Sequence, residues 1–350
     1  MELATFDLYY LVKEWQELIE GRIQKIYTVG STHVFHIYAN KAQHALLFDS
    51  NIAHVTKANL AYPKKPSGWC TFLRKRLKGG RVRAIELLGF DRIVKISIET
   101  KEATYEVMVE LFQKINVLVL KDGKIVSAFD PTTYNVRSLR GGVAYEPPPK
   151  RVEPWSAVIP QDKAAVKALA GDIGLGSKYA TELCARLAID PKAPIANAGA
   201  VQNAIIQLRD AKVVPRHSEN DALPFPFVSI PNSDAWTACE SYNSAIDAIE
   251  APRRATAEAA ESHAKASVHS TKQERIIEAQ KKSAGKLEKQ AATEQRAGEA
   301  IYENYQDLTK LLEVIRKDWR ELSHDALIKK YEQHPIVKKI DKDGSVEVEL

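Results

Sequence analysis

Long apolar runs are missing from this chain of 350 residues, and no stretch approaches the roughly 20 apolar residues that a membrane helix needs. Cysteine is scarce: Cys70, Cys184 and Cys239 lie far apart and none forms a CxxC. That argues against a disulfide framework and a structural zinc site, and it suits a reducing cytosol. The N-terminal run Met1-Glu2-Leu3-Ala4-Thr5-Phe6-Asp7 has no basic region followed by an apolar one, so no secretory signal is visible. Catalytic signatures are lacking too. The nine histidines are scattered, and no HExxH, P-loop or GxSxG occurs. His33 and His36 fall on one predicted strand and read as structural. The expectation is a cytoplasmic protein that is not an enzyme, holds neither metal nor cofactor and meets no membrane.

What is present is a hydrophobic content of 45%, enough to fill a real core, and a concentrated block of positive charge. Between Pro63 and Lys101 eleven Lys and Arg stand against three acids. The net +8 of that span exceeds the +5 of the whole chain, so the remainder is slightly acidic. Such a stretch attracts phosphate by counterion release; a solvated surface explains it equally well.

Hydrophobic spacing sets out the elements. Phe6, Leu8, Leu11, Val12, Trp15, Leu18 and Ile19 recur at helical intervals behind a possible Thr5 cap, with Gly21 as the stop. Strands are predicted over Arg22–Thr28, His33–Tyr38 and Ala45–Phe48, with turns at Gly30-Ser31 and Asn40-Lys41. A helix from Ser67 to about Lys78 puts Trp69, Phe72, Leu73 and Leu77 inward and Arg74, Lys75 and Lys78 outward, before Gly79-Gly80 stops it. Further strands follow at Val82–Leu88, Arg92–Ile98, Thr104–Leu111, Asn116–Leu120 and Lys124–Phe129, the last two joined by a hairpin turn at Asp122-Gly123. This order implies an α+β domain over 1–150 with a mostly antiparallel sheet, closed by the stiff Pro147-Pro148-Pro149.

A small helical domain is expected over 155–215, a Pro-rich linker over 216–240 and an Ala-, Glu-, Lys- and Gln-rich arm over 241–325. In the arm Ile301, Tyr305, Leu308, Leu312, Ile315 and Trp319 keep the 4-3 spacing of a coiled-coil seam. Ile277, Ala284, Leu287 and Ala291 continue it weakly upstream. The expectation is a long antiparallel hairpin, with Pro252 breaking or kinking its first helix. Over 326–350 a short helix precedes the strand Ser345–Leu350, which has nothing after it to pair with; this region is expected to lead into a further domain.

Three sites could carry chemistry. Asp172-Ile173-Gly174-Leu175-Gly176-Ser177-Lys178 has the apolar-Gly-apolar-Gly pattern of a helix-hairpin-helix. Gly174 and Gly176 would let the backbone turn tightly near a phosphate, and the N–H groups of the next helix would face it with Ser177 and Lys178. A helix–helix turn that needs glycine for packing is the plain alternative. Asp91-Arg92, after the loop Leu88-Gly89-Phe90, could clamp a phosphate with the basic helix residues Arg74, Lys75 and Lys78; a surface ion pair is the plain alternative. Arg137 and Arg140, in the loop ending at Gly141-Gly142, could touch an RNA backbone, or the loop could simply be solvated.

These pieces occur in a recognisable order. Thr5-Phe6-Asp7-Leu8 with Leu18–Tyr27, Phe72–Gly79 with Gly89–Val94, Gly141–Pro149, the glycine hairpin and Gly298–Tyr305 together resemble the NFACT family, also called fibronectin-binding protein A-like or RqcH-like. Gln113-Lys114-Ile115-Asn116 departs from it, where the family usually has a glycine-rich turn before Asn. The resemblance covers nearly the whole chain but not the family's C-terminal NFACT-R domain. It implies a fold like the N-terminal domain of formamidopyrimidine-DNA glycosylases. It also implies tRNA binding through Asp91 and Arg92, contact with the large ribosomal subunit and its rRNA, and contact with other quality-control factors through the coiled coil. Template-free tailing of nascent chains is the implied process, with the peptide bond made by the ribosome. A DNA glycosylase would need an N-terminal proline amine where this chain reads Met1-Glu2-Leu3. An adhesin would need export. A general RNA-binding scaffold is the remaining alternative.

Overall fold

The computed structural model describes residues 1–134, 137–149, 152–230 and 235–349, with the backbone alone over 258–274. The chain divides into two units, Met1–Glu258 and Ala259–Leu350.

The first unit begins with α1, Thr5–Glu14, extended by a 3-10 turn at Trp15–Leu18. Its cap falls one residue before the expected Thr5: the Ala4 N–H donates to the Asp7 carboxylate (2.8 Å), and Thr5 is buried as the first helical residue. Four strands follow, β1 Arg22–Val29, β2 Thr32–Ala39, β3 Ala42–Asp49 and β4 Ile52–Thr56. After α2, Gly68–Leu77, come β5 Arg81–Leu87, β6 Ile93–Glu99, β7 Thr104–Leu111, β8 Ile115–Lys121 and β9 Lys124–Ala128. They form one nine-stranded sheet in the order β4-β3-β2-β1-β5-β6-β7-β8-β9, antiparallel throughout. The halves meet at a narrow seam, where β1 and β5 share the pair Arg22↔Arg81. All three turns expected between strands are present, with positive φ at Gly30 (56°), Asn40 (49°), Lys41 (62°), Asp122 (51°) and Gly123 (72°).

The helical lobe comprises α3 Ala165–Lys167, a π-helical turn at Ala168–Asp172, α4 Gly176–Arg186 and α5 Ala198–Arg209. It shares a continuous apolar core with the sheet. Phe6 of α1 packs its ring against Phe90 (5.0 Å between centroids) and Tyr179 (5.1 Å). Within the stretch 216–240, expected as a linker, Ala222, Leu223, Phe225 and Phe227 are buried, and the short strands β10 Arg216–His217, β11 Ala222–Leu223 and β12 Thr237–Ala238 form a small sheet. The Pro-rich run is apolar enough to be drawn into the core.

Helix α6 runs from Tyr242 to Glu303 without a break, and Pro252 lies inside it. Its first turns belong to the first unit, where Tyr242, Ala245, Ile246 and Ile249 are buried. Among the described residues the expected fold-back is not seen. Ile277, Leu287, Ile301, Tyr305 and Leu312 are exposed, whereas a closed seam would bury them. A hairpin would need a turn within 288–300, and that stretch is built of helix formers around a lone Gly298.

In the second unit α7, Tyr305–Glu321, and α8, His324–Tyr331, pack with β13, Val337–Ile340. Their core holds Ile315, Leu327, Tyr331, Val337 and Ile340. The terminal strand is not unpaired. β14, Val346–Val348, turns back through Gly344 (φ 87°) and pairs antiparallel with β13.

Candidate nucleic-acid interface

Two motifs that stand more than eighty residues apart in sequence line one cleft. It has a volume of about 900 Å³ and is bounded by Glu2–Thr5, Asp91, Arg92, Phe112, Pro148, Pro149, Gly174 and Gly176–Lys178. Local chemistry places each side. Gly89 (φ 65°) turns the chain ahead of β6, and buried Phe90 anchors the loop between Phe6 and Trp155. The Asp91 carboxylate accepts the N–H of Arg92 (2.8 Å), so it shapes the loop and leaves the guanidinium to reach elsewhere. Arg92 Nη1 donates instead to Glu2 Oε1 (2.5 Å), with the arginine side chain 24% exposed and the glutamate 61%.

On the opposite wall Gly174 (φ 80°) and Gly176 (φ 78°) turn the chain into α4, with Leu175 buried between them. Only glycine takes such angles without strain. No side chain caps α4, so its first N–H groups, at Gly176, Ser177 and Lys178, form a partial positive pole, and these three residues line the cleft. A Cβ on Gly176 would lie 3.5 Å from that of Ala4, so the N-terminal segment crosses directly against this turn.

Lys178 lines the cleft but serves its rear wall. Its ammonium donates to the Ala222 carbonyl (2.9 Å) and lies 3.4 Å from Asp7. Asp7 is fully buried and also accepts the hydroxyls of Tyr179 (2.6 Å) and Tyr242 (2.7 Å). Burial, reinforced by the Asp7 charge, raises both tyrosine pKa values well above the usual range, so both hydroxyls stay protonated donors. This centre ties α1, α4 and α6 together behind the cleft.

The other expected site residues lie elsewhere. Arg74 and Lys78 line a second groove of about 460 Å³ with Gln24, Lys25, Tyr27, Tyr62, Pro63 and Lys64, while Lys75 is exposed on the same helix. Arg137 is committed: its guanidinium forks onto Glu110 (2.6 and 2.9 Å), with side chains only 9% and 2% exposed, and Tyr145 adds a third bond (2.8 Å). It holds its loop to β7 and is not free for phosphate. Arg140 is exposed. The basic stretch also divides. Arg81, Arg83, Arg92 and Lys95 are paired with carboxylates, whereas Lys64, Lys65, Lys75 and Lys78 make no ion pair among the described residues. Glu2, Asp7 and Phe112 had no signal in the sequence as site residues.

Among the described residues no group of three or more His, Cys, Asp or Glu could hold a metal ion, and no helix is long and apolar enough to cross a membrane.

The fold is that of the N-terminal regions of proteins named for binding fibronectin or fibrinogen. The N-terminal part of the fibronectin/fibrinogen-binding protein of Streptococcus suis superposes with a TM-score of 0.60 at 23% identity, covering 70% of this chain and 98% of that one. The fibrinogen binding protein of Staphylococcus aureus gives 0.58 at 20% identity, covering 70% and 97%. At such identities the likeness is one of fold. The family model for NFACT N-terminal and middle domains matches residues 4–348, and the chain belongs to the NFACT family. Its relatives include the archaeal Rqc2 homolog aRqcH of Methanocaldococcus jannaschii, 23% identical over 378 residues, covering 96% of this chain and 55% of that protein. A ribosome quality control complex subunit NEMF homolog of Drosophila melanogaster is 34% identical over 119 residues, covering 33% of this chain and 12% of that protein. The chain thus spans about half the length of the archaeal relative and aligns with a smaller share of the fly protein.

Proposed function

We propose that this chain is the tRNA-binding portion of a ribosome quality-control factor that acts on the stalled large ribosomal subunit. The observation that carries the reading is the meeting of Arg92 with the Gly174–Lys178 turn across one cleft, in a family with members named as ribosome quality-control subunits. A guanidinium on one wall and a glycine-rich helix start on the other suit a sugar–phosphate backbone, gripped without regard to base sequence. The Gly174–Gly176 turn serves here as the helix-hairpin-helix contact. The unpaired cations Lys64, Lys65, Lys75 and Lys78 supply the long-range attraction. The long helix α6 meets the ribosome or other quality-control factors. The protein positions tRNA to support template-free C-terminal tailing, and peptide-bond formation stays with the ribosome.

Filter binding of tRNA to Arg92→Ala tests this. Weakened binding with an unchanged melting temperature is expected, and undiminished affinity would remove the cleft from the site.

A further inference from the structure

The groove beside α2 holds a feature the cleft lacks. Tyr27 of β1 and Tyr62 of the β4–α2 loop stack face to face, with ring centroids 3.7 Å apart and planes within 10°. The Arg74 guanidinium lies over Tyr27 at 4.9 Å from its centroid, and its Nε donates to the Ile26 carbonyl (2.7 Å), which fixes it there. His36 of β2 bonds the Tyr62 hydroxyl (2.8 Å) and meets both rings edge-on. Three planar groups are therefore layered and held from below. Lys25, Lys64 and Lys78 surround the stack, all exposed and none in an ion pair among the described residues.

A buried aromatic stack needs no cations around it, and a solvated basic surface needs no stack. Together they match the two parts of a nucleotide: a planar base, and a phosphate on either side of it. The groove, at about 460 Å³, is large enough for a base and its sugar. We propose that this groove is a second RNA site, separate from the Arg92 cleft, which takes an unpaired nucleotide of an RNA strand, its base stacked on Tyr62 and its phosphates held by Lys25, Lys64 and Lys78. Paired RNA cannot use it, because its bases are already stacked on their neighbours. The site stands on its own geometry and does not depend on tRNA occupying the cleft.

The test is the binding of a short unpaired RNA containing 2-aminopurine, followed by fluorescence quenching, to the full chain and to Tyr62→Ala, Tyr62→Phe and Arg92→Ala. The wild type should bind and quench. Tyr62→Ala should lose affinity by about 10-fold, the loss expected for one stacked base. Tyr62→Phe keeps the ring without the His36 bond and should retain the binding. The same sequence in a duplex should bind more weakly, and the free nucleotide should not compete at matched concentration. The proposal is overturned if the wild type does not bind the oligonucleotide, if Tyr62→Ala binds as the wild type does, if Tyr62→Phe loses as much as Tyr62→Ala, or if duplex or free nucleotide binds equally well. Loss in Arg92→Ala with wild-type binding in Tyr62→Ala would place the base in the cleft and equally overturn it.

Discussion

Glu2→Gln should tighten tRNA binding. In the absence of RNA the guanidinium of Arg92 is occupied by the Glu2 carboxylate at 2.5 Å, on the edge that a phosphate oxygen would take. Phosphate must displace that carboxylate or share the cation with it. The glutamate is 61% exposed, so solvent screens the pair; such pairs are worth roughly 0.2–1 kcal/mol. Releasing it should raise affinity by no more than about fivefold. Removing the arginine deletes a charge-assisted contact worth roughly 1.5–3 kcal/mol, so Arg92→Ala should weaken binding about ten- to a hundred-fold. The two changes are coupled through one contact, so the gain from Glu2→Gln should shrink in the Arg92→Ala background. Filter binding of one tRNA to the four proteins at fixed salt measures this, with melting temperatures to confirm folding. Equal or weaker binding by Glu2→Gln, or the same gain with and without Arg92, would show that Arg92 does not meet the phosphate.

Asp7→Asn should destabilise the first unit by about 1.5–3 kcal/mol in denaturant titration, because it replaces the charged acceptor of the buried Tyr179 and Tyr242 hydroxyls and leaves Lys178 with only the 3.7 Å pair to Asp221; a loss below about 1 kcal/mol would show that the Asp7 centre is dispensable. Glu110→Gln should cost a similar amount, about 3–5 kcal/mol, by stranding the buried Arg137, whereas Arg137→Met together with Glu110→Leu should recover much of it; a double variant no more stable than the single one would refute this. Burial lowers the His33 pKa from 6.5 to about 4, and its ring accepts the indole N–H of Trp69 (2.9 Å). The unfolded chain therefore binds a proton that the folded one refuses. Stability should be full above pH 6.5, fall as pH drops from there and level off near pH 4, by about 3 kcal/mol in all. Melting curves of wild type and His33→Gln over that range check it, and identical pH slopes would count against it.

Much of the sheet was legible because its strands alternate and its turns carry the residues that tolerate positive φ, as at Asn40-Lys41 and Asp122-Gly123. β4 was not. It is five residues long, and its His54 and Thr56 are buried where the pattern calls for apolar side chains. Both bond Asp247, a partner about 190 residues away that no local pattern reveals. The site shows the same limit. Arg92 and the Gly174–Lys178 turn each stood out as a motif, but their convergence depends on α1 packing the helical lobe onto the sheet. Arg137 read as an available cation because its partner Glu110 lies 27 residues away in β7, beyond the reach of any local pattern. In the arm the 4-3 spacing picks out Leu308 and Ile315, which are buried, together with Ile301, Tyr305 and Leu312, which are exposed, because spacing alone carries no information on what packs against a helix face.

Site-directed crosslinking from the cleft tests the central claim most directly. Phe112 lines the cleft, and a benzophenone amino acid in its place keeps an aromatic ring there. Irradiated with large subunits carrying tRNA, that protein should form a crosslink to tRNA that Arg92→Ala greatly reduces. The same probe at Val158, which is 91% exposed and does not line the cleft, should yield little. A crosslink from Val158 as strong as that from Phe112, or no tRNA recovered from Phe112, would contradict the assignment of this cleft to tRNA.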